Sequence, residues 1–297
     1  MKKRAKALAI IVMLCALVGF LLRDSNEHVE LTQYTVTSAK LPESFSGFKI
    51  VQLSDFHGAP FVDDIVSLVR AEKPDIIALT GDFITDGDDL MAVRELAQQL
   101  TDICDMYFVS GNHDFASGKI DELSDILSSC GVKYLRNEYV TISRGDERIV
   151  LAGVEDPNSW ADLEAPDVFV QRLRIEYPDD YVVLLGHRNY WMDSFPKLPV
   201  QLVLCGHAHG GIVRIPGVGG LLGTDRTLFP EYDAGQFDNG RYTMIVSRGI
   251  GNSVALPRAF NRPEIVSIIL KNSQSCFSPI VHIMKLCCKQ HRSMRGE

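Results

Sequence analysis

The chain has 297 residues, 46% of them hydrophobic, which is enough for one sizeable α/β core. It carries 30 Lys and Arg residues and 38 Asp and Glu residues. Nine of the basic residues and one of the acidic residues lie in segments 2–6 and 271–297. The rest of the chain therefore has 21 basic and 37 acidic residues, a net charge of −16. Such a field repels a nucleic-acid backbone and argues against general nucleic-acid binding or a general nuclease. The seven cysteines are odd in number and irregularly spaced, which argues against a disulfide framework.

The N-terminal segment has the charge layout of a signal peptide or a membrane anchor. Four basic residues, Lys2, Lys3, Arg4 and Lys6, precede an uncharged run over 7–22, which Arg23 ends. The run is short for a full span, and no small-residue cleavage site follows closely. We therefore expect residues 1–25 to be an uncleaved single-pass anchor in the cell membrane, with the N-terminus cytoplasmic and the rest of the chain outside. Cleavage followed by secretion is the alternative.

Residues 26–47 are predicted to form a linker and a leading strand, since residues 30–40 alternate in polarity. Repeated strand, loop and helix units then begin. Apolar runs predict strands over 49–54, 76–80 and 106–110, and one-face periodicity predicts helices over 61–71, 89–101 and 119–129.

After residue 132 the pattern changes to shorter strands. Arg144-Gly145-Asp146 predicts a hairpin turn between strands over 139–143 and 148–153. A helix over 167–176 and further strands over 181–185, 201–205, 243–247 and 264–270 follow. The glycine-rich segment 217–223 lacks the lysine and the strand-to-helix setting of a phosphate-binding loop, so a turn or flexible rim is expected.

A polar cluster directly follows each of five apolar runs. The clusters are Asp55-Phe56-His57, Gly81-Asp82, Gly111-Asn112-His113-Asp114, Gly186-His187 and Gly206-His207-Ala208-His209. Ends of buried strands are where ligands bind in open α/β sheets. Carboxylate, imidazole and amide donors, without thiolate, are typical of sites for divalent manganese, iron or zinc. They are not typical of a structural zinc site, which has four thiolates.

Seven metal donors are predicted in these clusters: Asp55, His57, Asp82, Asn112, His187, His207 and His209. Seven donors exceed what one ion takes from side chains, so two divalent ions are the simpler count. Two ions about 3.5–4 Å apart can stabilise both the attacking and the leaving oxygen of a phosphoryl displacement. One carboxylate must then bridge them. Asp82 is the choice, because Gly81 permits close backbone approach and the pair is central among the clusters.

The five motifs, in this order, resemble those of the calcineurin-like metallophosphoesterases over residues 48–271. The segment 206–216 with Ser247-Arg248-Gly249-Ile250-Gly251 further resembles the membrane-anchored bacterial YaeI- and YkuE-like branch. The resemblance implies an α/β fold in which two mixed β-sheets pack face to face with flanking helices. It implies Asp55, His57, Asp82 and His209 around one ion, and Asp82, Asn112, His187 and His207 around the other.

His113 is implied to be a non-ligand imidazole that stabilises the transferring phosphoryl group or protonates the leaving oxygen. One departure concerns Asp82, since no Asp-Arg-Gly follows the Gly-Asp pair at the spacing found in phosphoprotein phosphatases. That argues against this branch of the superfamily and leaves the orienting partner of His113 unassigned.

The function predicted from these observations is hydrolysis of phosphoric esters, with a metal-bound hydroxide attacking phosphorus in line with the leaving group. Phosphodiester or pyrophosphate bonds in lipid- or envelope-derived molecules are preferred because of the anchor. A nucleotide or sugar-phosphate phosphatase and a metal-binding scaffold without turnover are the alternatives. Three arginines, Arg248, Arg258 and Arg262, are weaker candidates for phosphate contact.

Other polar residues receive ordinary structural interpretations. The acidic residues Asp63, Asp64, Asp86, Asp88 and Asp89 are expected to form turns or helix starts, and Cys205 to be a buried small hydrophobe. In the basic tail, residues 272–297, a helix after Pro279 would align Ile280, Ile283, Met284 and Cys287 opposite Lys285, Lys289 and Arg292. It either lies on an anionic membrane or is a solvated tail.

Overall fold

The computed structural model describes residues 2–159, 163–224 and 226–274. Fourteen strands occur in this part of the chain: β1 (Glu30–Ser38), β2 (Lys49–Leu53), β3 (Ile76–Thr80), β4 (Asp105–Val109), β5 (Lys133–Tyr134), β6 (Glu138–Arg144), β7 (Glu147–Gly153), β8 (Tyr181–Leu185), β9 (Leu202–Cys205), β10 (Arg214–Ile215), β11 (Gly219–Gly220), β12 (Gly235–Asp238), β13 (Thr243–Val246) and β14 (Glu264–Asn272). The α-helices are α1 (Lys2–Glu27), α2 (Val62–Glu72), α3 (Leu90–Leu100), α4 (Asn112–Ala116), α5 (Ile120–Ser129), α6 (Pro166–Glu176) and α7 (Trp191–Ser194).

Twelve of the strands form two six-stranded sheets. The first sheet has the order β1-β14-β2-β3-β4-β5, in which β2 to β5 run parallel and β14 runs antiparallel to β2. The second has the order β12-β13-β9-β8-β7-β6, with β13, β9, β8 and β7 parallel and an antiparallel strand at each edge. Both sheets are mixed, as predicted.

The sheets pack face to face because alternate strand residues point to opposite faces. Ile50 of β2 joins a core that contains Leu151 and Leu204 of the second sheet. Its neighbour Val51 points the other way, into a core shared with α2, α3 and α5. A third core packs α6 and α7 on the outer face of the second sheet. The molecule therefore has the predicted arrangement of two central sheets with helices outside.

Several local features differ from the predictions. Within segment 217–223, which was predicted to be a turn or rim, Gly219 and Gly220 pair with Arg214 and Ile215 as a short hairpin. A Cβ on Gly211 would lie 2.6 Å from the Gly220 Cα, so this close approach requires glycine. The strand β12 and the short helices α4 and α7 were not predicted, since each is too short for a clear periodicity. The predicted tail helix over 279–292 lies outside the described residues.

The N-terminal helix is longer than the apolar run. Residues 9–27 form a stretch with mean hydropathy 1.7 that is only 6% buried and is long and apolar enough to cross a membrane. The helix continues past Leu22 to Glu27, where Arg23 Nε lies 2.6 Å from the Glu27 carboxylate and Asn26 donates to the Leu22 carbonyl. The polar residues after the run thus extend the helix and carry its end onto the domain.

Candidate metal centre

The five polar clusters meet at one edge of the two sheets, where the carboxyl ends of the parallel strands lie. Backbone hydrogen bonds tie their loops together: Asp55 N donates to Gly81 O at 2.9 Å and Gly206 N to His187 O at 2.9 Å. A buried side chain joins the sheets themselves, because Gln52 Nε2 donates to Cys205 O at 2.8 Å. The polar clusters, which span 155 positions of the sequence from Asp55 to His209, are therefore neighbours across the sandwich.

Five of the seven predicted donors have left-handed backbone conformations. They are Asp55 (φ 51°), His57 (φ 45°), Asp82 (φ 55°), His207 (φ 69°) and His209 (φ 49°). This region costs about 1–2 kcal/mol for a residue with a Cβ and is concentrated at functional sites. The surrounding packing must stabilise these conformations, which turn the five side chains toward one another.

The first group of donors comprises Asp55, His57, Asp82 and His209, all buried, with ligand atoms within 4.8 Å of one another. His57 Nε2 and His209 Nε2 lie 3.3 Å apart, and His209 Nε2 lies 3.3 Å from Asp55 Oδ1. His57 Nε2 lies 3.9 Å from Asp82 Oδ2. This is the set that the family resemblance implied around one ion.

The second group comprises Asp82, His187 and His207. His207 Nδ1 lies 3.3 Å from His187 Nε2, which in turn lies 3.1 Å from Asp82 Oδ2. Asp82 therefore belongs to both groups. Asn112 is the first residue of α4, beside His113, whose backbone N–H donates to Asp82 Oδ1 at 2.7 Å. The structure brings the predicted donors of both groups to one place.

Two of the donor atoms lack the hydrogen bonds that buried polar atoms normally have. Asp82 Oδ2 and Asn112 Oδ1 are buried and accept no hydrogen bond within the part of the chain that the structure describes. An unsatisfied buried acceptor costs about 1–3 kcal/mol, and opposed imidazole lone pairs repel. A cation between these atoms would satisfy all of them. The residues present therefore fit two divalent ions, and no sulfur lies among the donors.

Hydrogen bonds of the other ring nitrogen determine which imidazole nitrogen faces the centre. His187 Nδ1 donates to the Thr80 carbonyl at 2.8 Å, and His57 Nδ1 lies 2.8 Å from the Thr85 hydroxyl. Both rings therefore present Nε2 to the centre, whereas His207 presents Nδ1 to His187. Such outer partners set the tautomer and orientation of metal-binding histidines.

Burial keeps three of the imidazoles neutral. It lowers the pKa of His57 to about 3 and that of His207 to about 2, and it lowers the pKa of His209 well below its usual value. At neutral pH these rings thus have a free lone pair. Burial also acts on His187, but the Asp82 carboxylate outweighs it and raises the pKa of His187 to about 10. A cation at Asp82 would compete with the His187 proton, so metal binding should release protons.

Asp114 is a buried residue of the site that the sequence analysis did not single out. Its buried carboxylate accepts N–H bonds from Gly111 (2.8 Å), Asp82 (2.9 Å), Phe83 (2.8 Å) and Ile84 (3.1 Å). Burial raises the pKa of Asp114 to about 7, against the pull of these donors. The residue ties two loops of the centre together and so holds Asp82 in position. Its place beside His113 in the third cluster was the signal available in the sequence.

His113 lies beside the two groups rather than within them. Its ring packs edge-on against the His57 ring with 5.1 Å between centroids. The side chain is half-buried, whereas Asp55 and Asp82 are fully buried. The imidazole is therefore placed between the donors and solvent, where a substrate would approach.

Arg188 is a second residue that the sequence analysis missed. Its guanidinium binds the buried Asp156 carboxylate in a two-pronged contact of 2.6 and 3.0 Å, and Nη1 lies 3.5 Å from His207 Nε2. Arg188, Tyr190 and His207 line a cavity of about 430 Å3. A fixed guanidinium at this distance suits a phosphate oxygen held near His207.

The three arginines proposed from sequence have other partners. Arg248 pairs with Glu30 (3.0 Å) and Glu264 (2.9 Å), and Arg262 pairs with Asp24 at 2.8 Å. Arg258 is buried, donates to the carbonyls of residues 248 and 251, and lies 3.4 Å from His209 Nδ1. Carboxylates thus occupy two of the three, and those two do not support the phosphate-contact prediction.

The remaining polar residues behave as expected or nearly so. Asp63 and Asp64 lie in the first turn of α2. The Asp89 carboxylate accepts backbone N–H bonds from Thr85 and Asp86, so it closes a turn before α3 rather than capping the helix. Cys205 is fully buried, and burial raises the pKa of its thiol.

Comparison with known proteins agrees with this geometry. The family model of the calcineurin-like phosphoesterases matches residues 48–211, more than half of the chain. The metallophosphoesterase YkuE of Bacillus subtilis is 29% identical over 82% of this chain and 86% of its own length. A Danio rerio transmembrane protein with a metallophosphoesterase domain is 28% identical over 91% and 63%. The phosphodiesterase YaeI of Escherichia coli is 29% identical over 75% and 82%. The chain belongs to the calcineurin-like phosphoesterase family and is a phosphoric ester hydrolase.

Proposed function

We propose that the chain is a two-metal hydrolase of phosphodiester or pyrophosphate bonds. The observation that carries this proposal is the position of Asp82, whose buried Oδ2 lies between the two groups of imidazoles, 3.1 Å from His187 Nε2 and 3.9 Å from His57 Nε2. Asp82 would take part in holding both ions. Asp55, His57 and His209 would hold one of them with it, and Asn112, His187 and His207 would hold the other.

Two divalent ions at this site, which the donor types suggest to be manganese, iron or zinc, would supply Lewis acidity toward phosphoryl oxygens and activate water near neutral pH. The protein supplies the rest. Asp114 holds the backbone of the two loops that carry Asp82 and Asn112. The His113 backbone N–H holds the Asp82 carboxylate itself. Buried, neutral imidazoles offer lone pairs without first losing a proton.

His113 would act on the leaving group. Its half-buried ring lies next to His57 but outside both donor groups, so it can donate a hydrogen bond or a proton to an oxygen that leaves toward solvent. Its backbone N–H already holds Asp82 Oδ1, which fixes the distance between the acid and the ions. Arg188 would bind a non-reacting phosphate oxygen, with Asp156 holding the guanidinium in one orientation.

Location suggests the substrate class. The stretch 9–27 is long and apolar enough to cross a membrane, and a relative carries the word transmembrane in its name. The basic residues before it favour a cytoplasmic N-terminus and a catalytic domain, residues 48–271, outside the cytoplasm of a cell-membrane protein. We therefore propose lipid- or envelope-linked phosphoesters as substrates.

The pairing of β1 with β14 supports grouping the leading strand with this domain.

The test uses the full chain in detergent. We expect about two transition-metal ions per chain and metal-dependent hydrolysis when phosphomonoesters, phosphodiesters and pyrophosphates are compared with and without manganese, iron and zinc. Chelation should lower the midpoint of thermal unfolding by about 5–10 °C. A metal present at about 100 times its Kd adds roughly 2.7 kcal/mol to the free energy of unfolding, and chelation removes this contribution.

A matched pair of variants controls for general effects. His209→Ala should lose metal, whereas His28→Ala should not, since His28 is exposed and pairs only with Asp24 in the described structure. A chain without bound metal and without metal-dependent turnover would contradict the proposal. Two bound ions without turnover on any substrate would favour the scaffold alternative, and turnover of nucleotides or sugar phosphates alone would favour that class.

A further inference from the structure

Exposed apolar side chains are concentrated in two segments near the metal centre. Outside α1, twelve large hydrophobic residues of the described chain are at least 38% exposed, and eight of them fall within 215–229 and 254–260. These eight are Ile215, Val218, Leu222, Leu228, Phe229, Val254, Leu256 and Phe260. A single exposed apolar residue is ordinary, but a concentrated set indicates a surface that something covers.

Backbone contacts join the two segments into one surface. Arg214 N donates to Ala259 O at 2.9 Å, which places the β10–β11 hairpin against the second segment. Leu222 and Leu228 form an antiparallel bridge, and Phe229 N donates to Leu221 O at 3.1 Å. We call residues 213–224, 226–229 and 254–260 together the apolar rim.

The end of α1 lies at this rim. Leu21 of the apolar stretch, Val218 and Phe260 line one cavity of about 750 Å3. Asn26 and Arg258 exchange two hydrogen bonds, of 2.8 and 3.0 Å. The uncharged run over 7–22 ends before Arg23, the first charged residue after it. With the hydrocarbon core ending at this charge, Leu21 would lie at the hydrocarbon boundary, and the rim beside it at the same level.

The rim also borders the metal centre. Gly251 N donates to Asp55 O at 2.7 Å, so the chain enters the second segment directly from the first donor group. A Cβ on Gly251 would lie 2.2 Å from Phe56 O, which leaves no space between the two. On the other side, Thr224 and Thr227 line the cavity that contains Arg188 and His207.

We propose that the apolar rim is a membrane-contact surface, and that the leaflet in which α1 ends is its occupant. This inference rests on the proposed role of α1 as an anchor. Phe229 and Phe260 support it. Both have left-handed backbone conformations (φ 53° and 51°), which are unfavourable for a bulky residue. Both side chains are about half exposed, so packing in the core does not offset this cost. Phenylalanine, like tryptophan and leucine, is typical of apolar faces that bury at the boundary between headgroups and acyl chains. A phosphoester at headgroup level would then reach the metal centre without leaving the bilayer.

The surface is tested with the full chain in vesicles of phosphatidylcholine and phosphatidylglycerol, prepared with and without brominated acyl chains. The variants Val218→Trp, Phe229→Trp and Phe260→Trp place a fluorophore on the rim; Met91→Trp and Ile175→Trp, at exposed apolar positions elsewhere, are matched controls. Fluorescence of the unmodified chain, which has two tryptophans, is subtracted.

We expect brominated lipid to quench most of the added fluorescence at the three rim positions and iodide to quench little of it, with the reverse at the two controls. Rim positions that respond like Met91→Trp would overturn the proposal. Shielding from iodide without quenching by brominated lipid would also overturn it, because a protein partner or a second copy would then be the occupant.

A second measurement connects the rim to the substrate. Val218→Asp and Phe229→Asp should lower hydrolysis of a vesicle-borne phosphodiester about tenfold, the factor that corresponds to 1.4 kcal/mol, and leave a water-soluble diester unaffected. Ile175→Asp should change neither rate. An equal fall on both diesters, or no fall, would contradict the role of the rim in substrate access. If the unmodified chain hydrolyses neither diester, the proposed function fails, and the fluorescence result still decides the membrane contact.

Discussion

The metal centre and the junction where α1 meets the domain both bring polar side chains together, but they differ in how these are satisfied. At the junction Arg262 pairs with Asp24, and Asn26 exchanges two hydrogen bonds with the backbone of Arg258. In the metal centre, imidazole nitrogens oppose each other at 3.3 Å and Asp82 Oδ2 accepts no hydrogen bond. The junction is complete with protein groups alone, whereas the centre needs a cation.

Arg258 shows where one region passes into the other. Its backbone belongs to the junction, but its side chain reaches His209, and its Nε and Nη1 have no hydrogen-bond partner within the described residues. Burial lowers the pKa of Arg258 to about 10. Unsatisfied buried atoms thus occur both in the centre, on Asp82 and Asn112, and at its border, on Arg258. Four substitutions can break or sharpen the distinction between the centre and the junction.

The largest effect is expected for Asp82→Asn. Loss of the shared carboxylate charge should remove metal and lower turnover by about a thousandfold or more, since several kcal/mol of transition-state stabilisation depends on the ions. Metal content and hydrolysis of a soluble phosphodiester are measured together. Asp102→Asn, which removes only an exposed pair with Arg70, is the control and should change neither. Full metal content in Asp82→Asn would contradict the shared-ligand assignment.

His113→Ala should retain both ions and lose turnover by about a hundredfold, as removal of a general acid typically does. The side chain lies outside both donor groups, so metal content is the readout that separates it from the ligands. A leaving group of low pKa should restore part of the lost rate. An unchanged rate would remove His113 from the mechanism, and a loss of metal would place it among the ligands.

Arg188→Ala should raise KM by about tenfold to a hundredfold with a smaller change in kcat, because a charge-assisted hydrogen bond contributes roughly 1.5–3 kcal/mol. Arg188→Lys should recover part of this loss. Removing the guanidinium also leaves the buried Asp156 unpaired, so thermal unfolding must be measured alongside. Arg148→Ala removes a two-pronged but more exposed pair with Asp180 and is the control for loss of an arginine–carboxylate contact away from the site. Equal KM in all three variants would exclude substrate contact by Arg188.

The smallest effect is expected at the junction. Arg262→Ala removes a partly exposed ion pair, whose contribution to stability is about 0–1 kcal/mol. The unfolding midpoint should fall by no more than roughly 4 °C, with metal content and turnover of a soluble substrate unchanged. Loss of metal in this variant would mean that the junction and the centre are not separate regions.

The sequence predicted those features that depend on local pattern. Apolar runs such as residues 76–80 and 181–185 predicted strands of both sheets. The polar residues directly after such runs were predicted to be metal donors, because parallel strands end at a common edge of the sheet. The pairing of Gln52 with Cys205, and thus the meeting of the two sheets, has no local signal. It depends on which alternate residues of each strand face the common core.

Residues that act through distant partners were harder to predict. Arg188 is one of 30 basic residues, and only its contacts with Asp156 and the His207 ring distinguish it. Arg248 and Arg262 were weaker candidates for phosphate contact because arginine suits phosphate, but Arg248 pairs with Glu30 and Arg262 with Asp24, each more than 200 positions away. Such pairs follow from tertiary packing, which spacing along the chain does not encode.

The link between α1 and the catalytic domain is unusually short. Residues 28 and 29 alone separate the end of α1 from the start of β1, a reach of about 7 Å. With α1 in a bilayer, the domain has no tether on which to swing, and the height of its metal centre above the lipid is set by the fold. Encounters with substrate would then be collisions in two dimensions, so the rate would follow the number of substrate molecules per unit of membrane area rather than their bulk concentration.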